Sequence, residues 1–160
     1  MKYWVWMLAT ISLASCATAP QLPEELKYVM PSESEVGIAK IAATLIDDKV
    51  PLFDHDNTYV YAVDGKQVML GRKQWDQPVF IRPGTHDVTL GFEKGVYMFF
   101  AKVRLEVSES GSYSAKSACK KGAFGDFQYC DFWIVDTTKG TAITEVARGA
   151  YSRGQHPLNL

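Results

Sequence analysis

Apolar and polar residues alternate with a period of two over most of this chain. The clearest run is residues 79–90. Val79 and Ile81 point one way and Phe80 and Arg82 the other. After Pro83-Gly84, His86, Val88, Leu90 and Phe92 share one face, while Thr85, Asp87 and Thr89 share the other. A period of two with one apolar face marks a half-buried strand, and Pro-Gly marks a turn, so the run predicts a β-hairpin. Residues 58–63 put Tyr59, Tyr61 and Val63 on one face and lead into Asp64-Gly65, a strong hairpin signal, from which residues 67–70 return.

Residues 96–108 form the longest strand candidate. Phe99, Ala101, Val103, Leu105 and Val107 make one unbroken apolar face. On the other face Met98 and Phe100 give way to Lys102, Arg104 and Glu106, so the first half reads as buried on both sides and the second half as solvated on one. Two further strands, 112–119 and 129–136, flank a Gly-rich loop at 120–128. Residues 141–147 form the last strand, and 149–160 read as a loose tail. Upstream, Ser32 and Glu35 fit a helix capping box and Ile38, Ile41, Ala42 and Leu45 a helical stripe. The same stretch also alternates, and Gly37 would fall inside the first turns, so residues 33–46 are read as strand. Residues 47–57, with Pro51, are read as loop. About seven or eight short strands at intervals of roughly ten residues predict an all-β sandwich, transthyretin-like or immunoglobulin-like, over residues 33–148.

Composition narrows the classes. The chain has 160 residues, room for one domain, and a net charge of −1. An ordinary apolar fraction argues against disorder, and the absence of a basic excess argues against nucleic-acid binding. No run of eighteen apolar residues predicts a membrane-spanning helix.

The N-terminus is read as a targeting segment. Lys2 supplies a positive n-region and residues 3–11 a short apolar h-region. Leu13-Ala14-Ser15-Cys16 then resembles the lipobox of bacterial lipoproteins. The resemblance implies a signal peptide over 1–15, cleavage before Cys16, diacylglycerol on its thiol and acylation of its new amine. Two or more acyl chains anchor stably where one is marginal. Ala17 in place of Asp resembles the pattern that Gram-negative lipoproteins show when sent on to the outer membrane, facing the periplasm. Residues 16–32, with Pro20, Pro23 and Pro31, read as an extended tether after the lipidated cysteine.

Lipidation would consume Cys16 and leave Cys119 and Cys130, an even pair around one loop in an oxidising compartment. A structural disulfide is expected. A redox role would want a Cys-x-x-Cys motif, which is absent.

Asp54, His55, Asp56 and Asn57 are the densest cluster of ligand types, weak candidates for a metal, with turn-capping in a solvated loop as the plainer reading. His86 is expected to bond loop backbone; catalysis would require a partner that the sequence does not place beside it. Trp75, Met98, Phe100 and Trp133 offer apolar area whose ordinary fate is core packing. Met98 and Phe100 beside Lys102 and Arg104 nonetheless form a candidate partner patch, since basic residues next to an apolar spot suit an interface rim. No metalloprotease, phosphate-loop, dinucleotide or serine-hydrolase motif occurs, and no catalytic residue or cofactor is assigned.

Three segments carry a second resemblance: residues 59–66 (Tyr-Val-Tyr-Ala-Val-Asp-Gly-Lys), residues 79–86, and Val107 with Gly111-Ser112-Tyr113. Over about residues 58–117 the chain resembles small bacterial surface domains of the PEGA type, which show a Val-Asp-Gly-Lys hairpin, an Ile-x-Pro-Gly-x-His turn and a later Gly-x-Tyr. Arg82-Pro83-Gly84 lacks the acidic residue that gives those domains their name. The resemblance implies a small transthyretin-like sandwich, often carried on lipoproteins. The expected function is a lipid-anchored, non-enzymatic binding or scaffolding module for another envelope component, protein before glycan. The alternative is a hydrolase or metal-dependent site built from residues 54–57 and His86. The sequence does not specify the oligomeric state.

Overall fold

A computed structural model describes residues 22–47, 55–71, 74–123 and 125–152. The expectations for the signal peptide, for lipidated Cys16, for Asp54 and for residues 153–160 lie outside the described residues. Within them the protein is an all-β sandwich. In chain order the strands are β1 (Ala39–Ala42), β2 (Thr44–Asp47), β3 (His55–Val63), β4 (Lys66–Gln67), β5 (Val79–Ile81), β6 (Gly84–Lys94), β7 (Tyr97–Val107), β8 (Ser112–Lys121), β9 (Phe127–Asp136), β10 (Thr141–Ala142), β11 (Ala147–Arg148) and β12 (Ala150–Tyr151). One six-stranded sheet runs β12-β7-β6-β3-β2, with β4 also on β3. The other runs β10-β9-β8-β1-β5, with β11 also on β9.

The alternation seen in the sequence places the core. Phe99, Ala101, Val103, Leu105 and Val107 are buried, and so are Val88, Leu90 and Phe92 on β6 and Phe132 and Ile134 on β9. These inner faces join in one hydrophobic cluster between the sheets. Asp64-Gly65 makes the expected turn. Both residues take left-handed backbone (φ 50° and 74°), which the two-residue hairpin loop requires and which Asp and Gly tolerate.

The run 79–90 does not form a hairpin. β5 pairs with β1 in one sheet, while β6 pairs with β3 and β7 in the other. Pro83-Gly84 carries the chain across the sandwich, with Gly84 at φ 133°. Two alternating runs with one apolar face each can pair side by side or stack face to face, and here they stack. Of the 33–46 stretch, residues 39–42 and 44–46 are strand, divided at Ala43, where the chain passes from one sheet to the other, while residues 33–38 are turn and loop rather than strand. A helix fails there because Gly37 is left-handed (φ 79°) and because Glu35 is taken by Arg82, at 3.1 Å to both Nε and Nη2.

Other boundaries also differ from expectation. Residues 55–57 belong to β3 rather than to a loop, paired with β2 from Asp47 opposite His55. The end of the expected tether lies on the fold: Tyr28 N–H donates to the Gln67 carbonyl at 2.8 Å, and its hydroxyl to the Phe80 carbonyl at 3.1 Å. Burial pushes that hydroxyl up to about 12, so it stays a donor. Residues 141–147 are two short pieces rather than one strand. The start of the expected loose tail is structured, since β12 pairs with β7, Gly149 N–H donates to the Cys130 carbonyl at 2.7 Å, and Ser152 N–H donates to the Met98 carbonyl at 2.9 Å.

Candidate functional site: an open edge of β7

β7 is flanked by β6 along its whole length, from Lys94 opposite Tyr97 to Gly84 opposite Val107. On its other side β12 pairs only with Phe99 and Phe100. Backbone groups in an antiparallel strand point alternately to the two sides. The Ser152–Met98 bond shows that even-numbered residues point away from β6. Beyond Phe100, therefore, Lys102, Arg104 and Glu106 turn N–H and C=O outward, and no strand among the described residues takes them up.

The opposite wall of this edge is the segment between β10 and β11. Ile143 N–H still donates to the Ile134 carbonyl at 2.9 Å, but the Ile134 N–H is taken by the Thr144 hydroxyl at 3.0 Å. A side-chain oxygen there replaces the backbone carbonyl, the ladder on β9 is interrupted, and the chain bows out until β11. Ile143 and Val146 are left 36% and 62% exposed. Between the two walls lies an open groove of about 640 Å³, lined among others by Lys102, Arg104, Glu106, Ile143, Glu145 and Val146. Two cations and two anions face it. A row of unpaired strand hydrogen-bonding groups beside exposed apolar side chains is the geometry that accepts an added strand.

The four residues of the expected partner patch are placed differently. Lys102 and Arg104 are exposed on this edge. Phe100 is not surface: it is 4% exposed, with the Tyr61 ring edge-on at 4.9 Å. A Cβ on the neighbouring Gly91 would lie 3.0 Å from the Phe100 ring and 2.7 Å from the Tyr59 ring, so this glycine makes the room for both. Met98 is half-buried. Trp75 stacks flat on Tyr59, centroids 3.9 Å apart, and closes this outer aromatic layer. Trp133 is half-buried on β9.

His86 has a carboxylate partner that sequence reasoning missed. Its Nδ1 lies 2.7 Å from Asp64 Oδ2, and its Nε2 donates to the Arg82 carbonyl at 3.0 Å. Asp64 Oδ1 also accepts the Asp87 N–H at 3.0 Å. The β3–β6 register, with Val63 opposite Val88, brings the Asp-Gly turn to the histidine. The contacts of His86 to Asp64 and to the Arg82 carbonyl tie the Asp-Gly turn to the corner where the chain enters β6. Partial burial pushes the Asp64 carboxyl up, but the bonds from His86 and Asp87 outweigh it and hold it below the ordinary carboxylate range. A carboxyl depressed by folding adds stability that is complete above its unfolded value and is lost as pH falls through its lower folded value. Asp64→Asn is therefore expected to flatten the acid limb of stability against pH. The loss at neutral pH should be no more than about 1 kcal/mol, as for an exposed pair. Urea midpoints measured from neutral pH to well below the carboxylate range check this, and an acid limb unchanged from the parent counts against it.

Register separates Asn57 from His86. Asn57 lies opposite Glu93, at the far end of β6 from His86. Seven residues at about 3.3 Å each separate those positions, roughly 23 Å. His55 and Asp56 are strand residues, and among the described residues no group of three or more His, Cys, Asp or Glu is arranged to hold a metal.

Cys119 and Cys130 are opposite one another on β8 and β9, Cα atoms 4.0 Å apart, and their sulfurs are joined. The bridge ties the β8–β9 hairpin. No protein-family model matches the chain, and neither a curated protein nor a solved structure does.

Proposed function

We propose that this protein is a lipid-anchored, non-enzymatic binding or scaffolding module of the cell envelope, engaging protein by strand addition at the β7 edge. The observation that carries the reading is the groove beside Lys102, Arg104 and Glu106, with outward N–H and C=O groups on one wall and Ile143 and Val146 on the other. Backbone groups in strand spacing match a polypeptide. A glycan is more often held on an open aromatic face, and Tyr59 is covered by Trp75. The Leu13-Ala14-Ser15-Cys16 motif supports attachment through Cys16, and Ala17 supports an outer-membrane location facing the periplasm. The likeness of residues 58–117 to PEGA-type domains agrees with a surface role.

A photo-crosslinking residue at position 102 of the full-length protein in intact cells is expected to yield a protein adduct. Arg104→Gln with Glu106 retained should reduce that adduct several-fold with little change in melting temperature, whereas a crosslinker at Val96, on the β6–β7 turn, should give none. Equal adducts from both positions, or none from position 102, would overturn the reading.

A further inference from the structure

We infer that the strand added at the β7 edge is β7 of a second copy of this chain, so that two sandwiches join through one continuous sheet. The inference rests on the proposal that this edge binds protein, and it names the partner. It follows from the order of charges along the edge. The outward positions read Lys102, Arg104, Glu106, Ser108. Two antiparallel copies related by a two-fold axis must place outward positions opposite outward positions. An axis beside Arg104 sets Arg104 against itself, and one beside Glu106 sets Glu106 against itself. An axis beside Val103 sets Lys102 against Arg104 and drives the copy into β12. Like charges directly opposite are unfavourable.

An axis beside Leu105 sets Arg104 opposite Glu106 of the second copy, and by symmetry the reverse, with Lys102 opposite Ser108. Only this arrangement gives opposite charges at the centre and stays clear of β12. On β6, Asp87 already lies opposite Arg104 and Thr85 opposite Glu106. The outer face then reads Asp87, Arg104, Glu106, Thr85 across the junction, alternating in sign where it is charged. Beneath it, the two-fold brings the exposed Ile143 and Val146 of each copy towards those of the other. The groove carries no excess of either charge, with Lys102 and Arg104 against Glu106 and Glu145.

A charge exchange tests this without depending on a binding partner. The full-length chain, solubilised in a non-ionic detergent, is examined by sedimentation equilibrium and by crosslinking from position 102. The parent chain should dimerise and crosslink to itself. Arg104→Glu alone and Glu106→Arg alone should each weaken dimerisation about ten-fold or more. The double exchange should recover most of the loss, because the pair is re-formed with its signs reversed even though a carboxylate at position 104 then faces Asp87 on β6, and that recovery excludes misfolding as the cause of the single losses. A monomeric parent chain overturns the inference, as does a double exchange no better than the singles. If position 102 then crosslinks to a different protein in cells, the binding reading stands while this inference falls. If it crosslinks to nothing, both fall.

Discussion

Replacing Phe99 by alanine is expected to cost about 3–5 kcal/mol, the range for emptying a fully buried phenylalanine site. Phe99 is 1% exposed. Its ring sits among Tyr151 at 5.4 Å, Phe92 at 6.5 Å and Phe127 at 6.5 Å between centroids, so it joins β7 to β6, β9 and β12. A cavity there cannot collapse easily, because its walls belong to different strands held in register. With a total stability of about 5–15 kcal/mol, the loss is a large share of the whole. The melting temperature should fall on the order of 10–20 °C. Val96→Ala is the control: that side chain is 80% exposed in the turn before β7 and its loss should stay within about 0.5 kcal/mol. Urea unfolding of both variants decides the matter. A Phe99→Ala midpoint close to that of Val96→Ala would contradict the placing of Phe99 in the core between the sheets.

The second large effect is loss of the Cys119–Cys130 bond. The cysteines are 11 positions apart, and closing so short a loop contributes about 2–3 kcal/mol, chiefly by restricting the unfolded chain. Cys119→Ser with Cys130→Ser should lower stability by that amount. Cys130 is fully buried, so part of the loss will come from a hydroxyl placed in the core. Protein from an oxidising compartment should show no alkylatable thiol at these positions until it is unfolded and reduced. Two cysteines alkylated under native conditions, or a reduced parent as stable as the oxidised one, would contradict the bridge.

The local grammar of this chain was legible, and its global arrangement less so. The face of β7 from Phe99 to Val107, the Asp64-Gly65 turn and the cysteine pair all follow from interactions between close neighbours in the sequence. The 79–90 run did not, because Pro83-Gly84 reads the same whether its flanking runs pair within one sheet or face each other across two. Alternation reads Phe100 as buried on the second face of β7, but it cannot show that Tyr61 and Gly91 on the adjacent strands are what cover it. The Asp64–His86 pair was hidden for the same reason, although an aspartate in a tight turn and a histidine entering a strand were both in view. The open edge was the least legible feature. Lys102 and Arg104 were singled out by their neighbours, but only the departure of residues 143–146 from β9 shows which side of β7 is free.

The crossing at Pro83-Gly84 also sets an order of assembly. β6 and β7 are joined by a tight turn and can zip together at once. β1 cannot, since it lies between β5 and β8, and its parallel register places Lys40 opposite Ser112. Everything from β2 to β7 lies in the loop that must close first, and closure entropy is spent before that pairing returns any energy. The second sheet therefore completes late. Until it does, Ala39 and Ile41 stay uncovered, and that interval is when a half-folded chain is open to pairing with the wrong neighbour.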